Sequence, residues 1–487
     1  MTNLSDLFPA GAGKQVSFVA DGSISAAGKP VLLTAAGKVE PVVIAASDPV
    51  GIGTPVVFEA ASTEYIAATF DSNENKVVIA YRDSGNSDYG TAIVGTVSGT
   101  AISFGTAVVY NSGTTDFVSC TFDSDANKVV IAYRDVGAGS PFPGTAIVGT
   151  VSGTAISFGT EVEFASVSAA GTASTFDSSN NKVVIAYRNA TTSNHGTAVV
   201  GTVSGTSISF GTPVEFNAAN TNLISATFDS SNNKVVISYQ DIGNAYSGTS
   251  IVGTVSGTSI SFGTEGTFNG QSSMIGSCFD TTANKVVVTY QDGTNSDYGT
   301  SNVGTVSGTS ISFGADGVFE SAATANTFCA YDSGVDRTTI VYQDSGNSNY
   351  GTVVNGAVSG TSISFTAAAV FSSATTTYIS CAYDSNAGKV VGAYWNGSAG
   401  TSVVLSGGAT NLTASNLLGI SDAAISDTAS GNITVKGGIA VNGLSSLTPG
   451  TDSYAQGDGT ISTSSSGDAV KLGRALSATS IDLEYQS

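Results

Sequence analysis

Short runs of β-branched and aromatic residues, broken by small clusters of Gly, Ser, Asn and Asp, dominate the chain. One stretch shows the grammar. LISATFD (223–229) predicts a strand, a, and SSNN (230–233) a polar turn. KVVISY (234–239), rich in β-branched residues and closed by an aromatic, predicts a second strand, b. The loop QDIGNAYSGT (240–249) leads to strand c, SIVGTV (250–255). Ser256–Gly257 makes a tight turn into strand d, TSISFGTEGTF (258–268), the glycine supplying the positive φ of a hairpin turn. Strands b and c are apolar on both alternating faces, as strands covered on both sides are.

This unit recurs. The Asp of FDSxxNKVVIAY stands at Asp71, Asp123, Asp177, Asp229, Asp280, Asp332 and Asp384, at steps of 51 to 54 residues. Five residues on comes a base, Lys76, Lys128, Lys182, Lys234, Lys285, Arg337 or Lys389, and each following run ends in a Tyr from Tyr81 to Tyr394. Seven copies of four antiparallel strands predict an all-β, seven-bladed β-propeller of four-stranded blades. The last copy has no strand d after Leu405, whereas GIGTPVVFEA (51–60) precedes the first strand a and matches the end of a strand d. The N-terminal segment is therefore expected to close the last blade and remove a free edge. The expected organisation is an N-terminal β module (1–48), a propeller (49–408) and a C-terminal all-β module (409–487), the outer modules serving attachment and oligomerisation.

Composition narrows the function. Basic residues number 16 against 37 acidic, a net charge of −21. That balance argues against nucleic acid, whose phosphates need Lys and Arg, and against anionic membrane surfaces. No apolar run reaches the length of a membrane span. The opening MTNLSDLFPAGAGKQ has neither the basic nor the apolar region of a secretory signal, so no signal peptide is expected. A single His195 rules out a multi-histidine metal site within one chain, and four scattered Cys form no CxxC. Cys120, Cys329 and Cys381 share a position that is Ala or Ser in other copies and Cys278 lies one place along, so packing is the expected role. No cofactor, metal or catalytic residue is expected. Asp123-Ser-Asp125-Ala-Asn127 imitates half a calcium loop but lacks the distal Glu; a hairpin turn explains it better.

The opening NLSDLFPAGAGKQVSFVADGSISAAGKPV and the ending SLTPGTDSYAQGDGTISTSSSGDAVKLGRALSATSIDL resemble terminal modules of tail-fibre-type virion proteins of tailed bacteriophages, notably marine ones. The repeat FDSxxNKVVIAYRD…GTVSGTSISFGTPVEF is similar to repeats in the middle of such proteins. The resemblance implies a non-enzymatic structural protein of the virion, a tail fibre or receptor-binding component that presents propeller loops to the host. It would be made in the host cytoplasm and act outside it. Its implied partners are other virion proteins and a host-surface glycan or protein, with a homo-oligomer, a trimer by analogy, as the assembly. A capsid decoration and a glycan-degrading spike are the alternatives.

Two sets of residues stand out for binding. Arg82, Arg134 and Arg188 follow the strand-b Tyr in copies one to three, where later copies have Gln and the last has Trp395. Clustered guanidinium groups match a sugar carboxylate, and sialidases, also propellers, use an arginine triad. The blander reading pairs each Arg with its sequence neighbour, Asp83 or Asp135. The second set precedes the Gly-Thr of the b–c loop: Tyr89, Phe142, His195, Tyr246, Tyr298 and Tyr350. Aromatics on a rim anchor sugars and proteins; the alternative is that each caps its own blade. Between copies the c–d turn is nearly constant and the b–c loop varies, which points recognition to the b–c side.

Overall fold

The computed structural model describes residues 15–42, 50–407, 412, 415–456, 460–463, 465 and 469–484. The opening 1–14 and the expected boundaries at 48 and 408 lie outside the described residues. The chain divides into two compact units, 49–407, and 1–48 together with 408–487. Both are all-β with antiparallel ladders. Among the described residues the helical segments are three short 3-10 turns at Ser84–Asn86, Ala190–Thr192 and Ile242–Asn244.

In the larger unit the first repeat forms strands Thr63–Asp71, Lys76–Asp83, Tyr89–Ser98 and Ala101–Phe104, each hydrogen-bonded to the next. The FDSxxNK string encodes the a–b turn. Asp71 Oδ1 accepts from the backbone N–H of Asn73 (2.9 Å) and Glu74 (3.0 Å), and Asn75 takes the left-handed conformation that closes the hairpin. Asp123 bonds Asp125 N and Ala126 N in the same way, so this carboxylate belongs to its turn.

Strand d differs from the expected single strand. It breaks after Phe104, and the chain resumes at Val108, opposite Ala92 of strand c. It then runs to Asp123 without a loop, so that one 16-residue strand completes the first sheet and opens the second. Gly105 sits at the break because a Cβ there would lie 2.0 Å from the carbonyl oxygen of Thr154 in the next c–d turn.

The Gly of each Gly-Thr admits an aromatic ring. A Cβ on Gly248 would lie 2.3 Å from Phe268, whose ring packs on Tyr239's counterpart Tyr290 at 5.0 Å. The strand-b tyrosines, Tyr81 to Tyr394, are fully buried. Burial is also what pushes the Tyr187 and Tyr394 hydroxyls up to about 12. Core clusters lie between consecutive repeats: Val78, Ala80 and Val94 pack with Val129, Ile131 and Tyr133. Each fully buried Val or Ile contributes on the order of 2 kcal/mol. The same kind of cluster joins Val77, Ile79 and Ile93 of repeat one to Val391, Ala393 and Val404 of repeat seven. Gly51–Ile52 and Val56–Glu59 pair antiparallel with strand c of repeat seven, Gly400–Ser406.

All four cysteines are free. Cys278 and Cys329 share a cluster, and a hydrogen bond with Cys329, followed by burial, pushes the Cys278 thiol up.

The smaller unit interleaves both ends of the chain. Its first sheet has the order Gln15–Val19, Ser430–Val435, Leu417–Ser421, Pro30–Leu33, Val39–Pro41. Its second sheet is wholly C-terminal and includes Asp452–Ala455, Val470–Ser477 and Ser480–Leu483. One apolar cluster, with Leu32, Ile420, Leu472 and Ile481, draws on both.

Candidate functional site

The long strands turn from one sheet into the next through a bulge. In each repeat the a–b register slips across one residue, as between Glu64 and Ala67, and that residue is left-handed. The seven are Tyr65, Phe117, Gly171, Leu223, Met274, Asn326 and Tyr378. A bulge supplies the bend and extra twist that redirect a strand. A bulky residue with φ near +50° costs roughly 1–3 kcal/mol, so packing must hold it. Sequence reasoning missed this feature, because Tyr, Phe, Leu and Met give no turn signal.

These residues collect the arginines. Tyr65 packs on Phe117 at 5.2 Å and on Tyr378 at 5.5 Å between ring centres. Arg82 lies over Tyr65 at 5.3 Å and Arg134 over Phe117 at 4.7 Å. Arg82 pairs with Glu64 (2.9 Å), Asp88 (3.2 Å) and Asp116 (2.6 Å), and Arg134 pairs with the other oxygen of Asp116. The expected partners Asp83 and Asp135 are not used. Consecutive residues of a strand point to opposite faces, so Arg82 cannot face Asp83; Asp83 and Asp135 instead accept from backbone N–H groups of their own loops. Burial works against the Arg82 charge, but Glu64, Asp116 and Asp88 outweigh it and hold its pKa raised.

Arg188 differs. Its one hydrogen bond is to Asn222 Oδ1 at 3.5 Å, and it has no carboxylate partner among the described residues. Burial, then the charge of Arg134, lowers its pKa. Trp395, at the same position in repeat seven, packs against the same apolar cluster as Tyr378, and its buried indole N–H has no partner among the described residues.

The six b–c residues fall into two groups. Tyr89, His195, Tyr298 and Tyr350 begin strand c, pair with the end of strand b and are half-buried. Phe142 and Tyr246 stand one place earlier, left-handed (φ 59° and 66°) and exposed at 36% and 48%. Pro143 and Ser247 fill the first position of strand c in those repeats and displace the aromatic outward. His195 Nδ1 lies 2.7 Å from Glu215.

At the a–b end, a cavity of about 580 Å³ is lined by Phe70, Phe122, Phe176, Phe228, Phe279 and Tyr331, one from each of six repeats, with Tyr383 of the seventh. It too went unread in the sequence, where these aromatics look like ordinary strand residues.

No family model and no curated protein matches the chain. Solved structures do. A protein of unknown function from Dyadobacter fermentans is 10% identical, with 73% of this chain and 99% of that one covered and a TM-score of 0.45. The SapL1 lectin, solved with alpha methyl fucoside, is 14% identical over 64% of this chain and 96% of its own, with a TM-score of 0.39. The BP39L lectin from Burkholderia pseudomallei is 11% identical, covers 72% of this chain and 98% of its own, and has a TM-score of 0.53, a likeness of fold.

Proposed function

We propose that residues 49–407 form a closed seven-bladed propeller that acts as a non-enzymatic, glycan-binding adhesion module. Three features support the ring. The segment 51–59 pairs with the last strand c, Ala68 N donates to Ser380 Oγ (3.1 Å) across repeats one and seven, and a single cavity takes side chains from all seven repeats. The binding reading rests on one observation: Phe142 and Tyr246 are held outward on left-handed backbone at the variable end of the repeats, where the other strands are fixed. The fold shared with a lectin agrees with it. Asp116 and Glu64, the acids gathered beside the arginines, are tied up in ion pairs with Arg82 and Arg134, which supports a binding role over a catalytic one at this cluster.

From the resemblance of the chain ends to tail-fibre modules we propose further that this adhesin works on a phage particle outside the cell, mounted through the unit built from both termini and displayed in several copies. Binding of purified protein to host-envelope polysaccharide tests the core of the proposal. The F142A/Y246A variant should bind at least about tenfold more weakly, a loss of about 1.4 kcal/mol. Unchanged binding removes this surface, and release of reducing ends removes the non-enzymatic reading. Labelled antibody on intact particles tests the placement.

A further inference from the structure

Repeat three is built differently at its b–c end, and the differences point one way. Where repeats one and two have Glu64 and Asp116 beside their arginines, it has Ala170. Where they end strand b in Asp83 and Asp135, it has Asn189, and Asn194 replaces Asp88. Tyr81, Tyr133, Tyr239, Tyr290 and Tyr342 each donate to an Asp or Glu. Tyr187 has no such bond, and burial alone raises its pKa. The carboxylate on the neighbouring strand, Glu215, is engaged by His195. Arg188 is thus a half-buried cation without an anion among the described residues, in a protein of net charge −21.

Space accompanies the charge. Gly171 holds the left-handed bulge position, and a Cβ added there would meet no atom within 4 Å. The flanking repeats fill this position with Phe117 and Leu223. An open gap therefore lies at the Gly171 Cβ position, next to Ala170, which pairs with Arg188, and the Asn222 amide oxygen of the next repeat accepts from the guanidinium.

We propose that this gap is a subsite for the carboxylate of an acidic sugar, a hexuronate, held by the guanidinium fork of Arg188. A planar carboxylate matches that fork bidentately, and it would restore the ion pair that Arg82 and Arg134 make internally. The inference rests on the glycan-binding reading and names a ligand class for it.

The full-length protein, 15N-labelled, is titrated with glucuronate, glucose and acetate while the side-chain Nε–H resonances of its five arginines are followed. Glucuronate should shift Arg188 saturably and at least about tenfold more tightly than acetate, and glucose should leave it unmoved. Arg188→Gln, using the residue that repeats four to six carry, and Gly171→Phe, copying repeat two, should each abolish glucuronate binding. Equal binding of acetate would reduce the site to a bare anion contact and overturn the sugar assignment. A shift at Arg134 alone, no shift at all, or an undiminished response in G171F overturns the proposal. Polysaccharide binding that survives R188Q with uronate preference intact sinks the subsite and leaves the adhesion reading standing. Glucuronate titration of Arg188 without any binding to host polysaccharide does the reverse.

Discussion

Asp332 should make the larger unit more stable in acid than at neutral pH. It ends strand a of repeat six with no exposed surface. Its Oδ1 accepts from Gly334 N at 3.0 Å, while the buried Oδ2 has no partner within hydrogen-bond distance among the described residues, and the Tyr383 hydroxyl, which accepts from Gly334 N, is a polar group that favours the charged form. In repeats three and four the equivalent oxygen is met at 2.9 Å by the amides of Asn180 and Asn232; in repeat six that residue is Val335. Burial therefore pushes the carboxyl up from 3.8 to about 6, against the pull of the backbone N–H groups, Lys389 and the Tyr383 hydroxyl. A raised folded pKa means that the folded state holds the proton more tightly. The associated stability is complete below about 3.8 and is lost as pH rises through about 6. A gap of about two pH units at roughly 1.4 kcal/mol each sets a ceiling of about 3 kcal/mol. Asp332→Asn retains the Oδ1 acceptor and removes the charge. Urea midpoints of parent and variant should coincide at pH 4 and separate by about 2 kcal/mol in favour of the variant at pH 8. A difference that is the same at both pH values, or a variant less stable than the parent at pH 8, refutes the reasoning.

Asp116→Ala leaves Arg134 without its carboxylate and should cost about 1–2 kcal/mol, discounted from a fully buried pair because both arginines keep some exposure; thermal melts at low and high salt should show the loss shrinking as salt rises. Gly248→Ala forces a methyl group onto Phe268 and should destabilise by about 1–3 kcal/mol, whereas Gly270→Ala, whose nearest neighbour would be at 3.5 Å, should cost well under that in the same denaturation series. A fragment of residues 61–407 lacks the partner of Gly400–Ser406 and should show concentration-dependent aggregation in light scattering where 50–407 does not; a 61–407 monomer that melts as sharply as 50–407 would count against closure.

The strands were legible because several local signals agree. The Asp of FDSxxNK binds its own turn, the Asn takes the left-handed position, and the apolar run after it is buried on both faces. Where tertiary packing overrides local preference, the sequence was opaque. Tyr65 and Leu223 are left-handed only because neighbouring repeats hold them there, so the bulges and the continuous d–a strands had no marker. The aromatics before Gly-Thr read as one class, yet Pro143 or Ser247 at the first position of strand c, where repeats one and six have Tyr89 and Tyr350, puts Phe142 and Tyr246 outside the ladder.

The arginines show how a near-symmetric repeat hides a site. Arg82, Arg134 and Arg188 follow the same Tyr and read alike along the chain. Their surroundings come from strand a of the same repeat and of the next one, far away in sequence. Arg82 receives Asp116 from the following repeat; Arg188 receives Asn222 from its own following repeat, and Ala170 beside it. Two of the three cations are consequently spent on internal pairs that hold the bulges in place, and the third is left uncompensated by the loss of acids at three separate positions, those of Glu64, Asp88 and Asp116 in the surroundings of Arg82. Ala170, Asn194 and Asn222, which stand in their places around Arg188, are each unremarkable alone. Only the strand pairing brings their effects to one place, beside a glycine at which an added Cβ would meet no atom within 4 Å. In such a chain, chemistry is found where one repeat departs from its siblings on several strands at once.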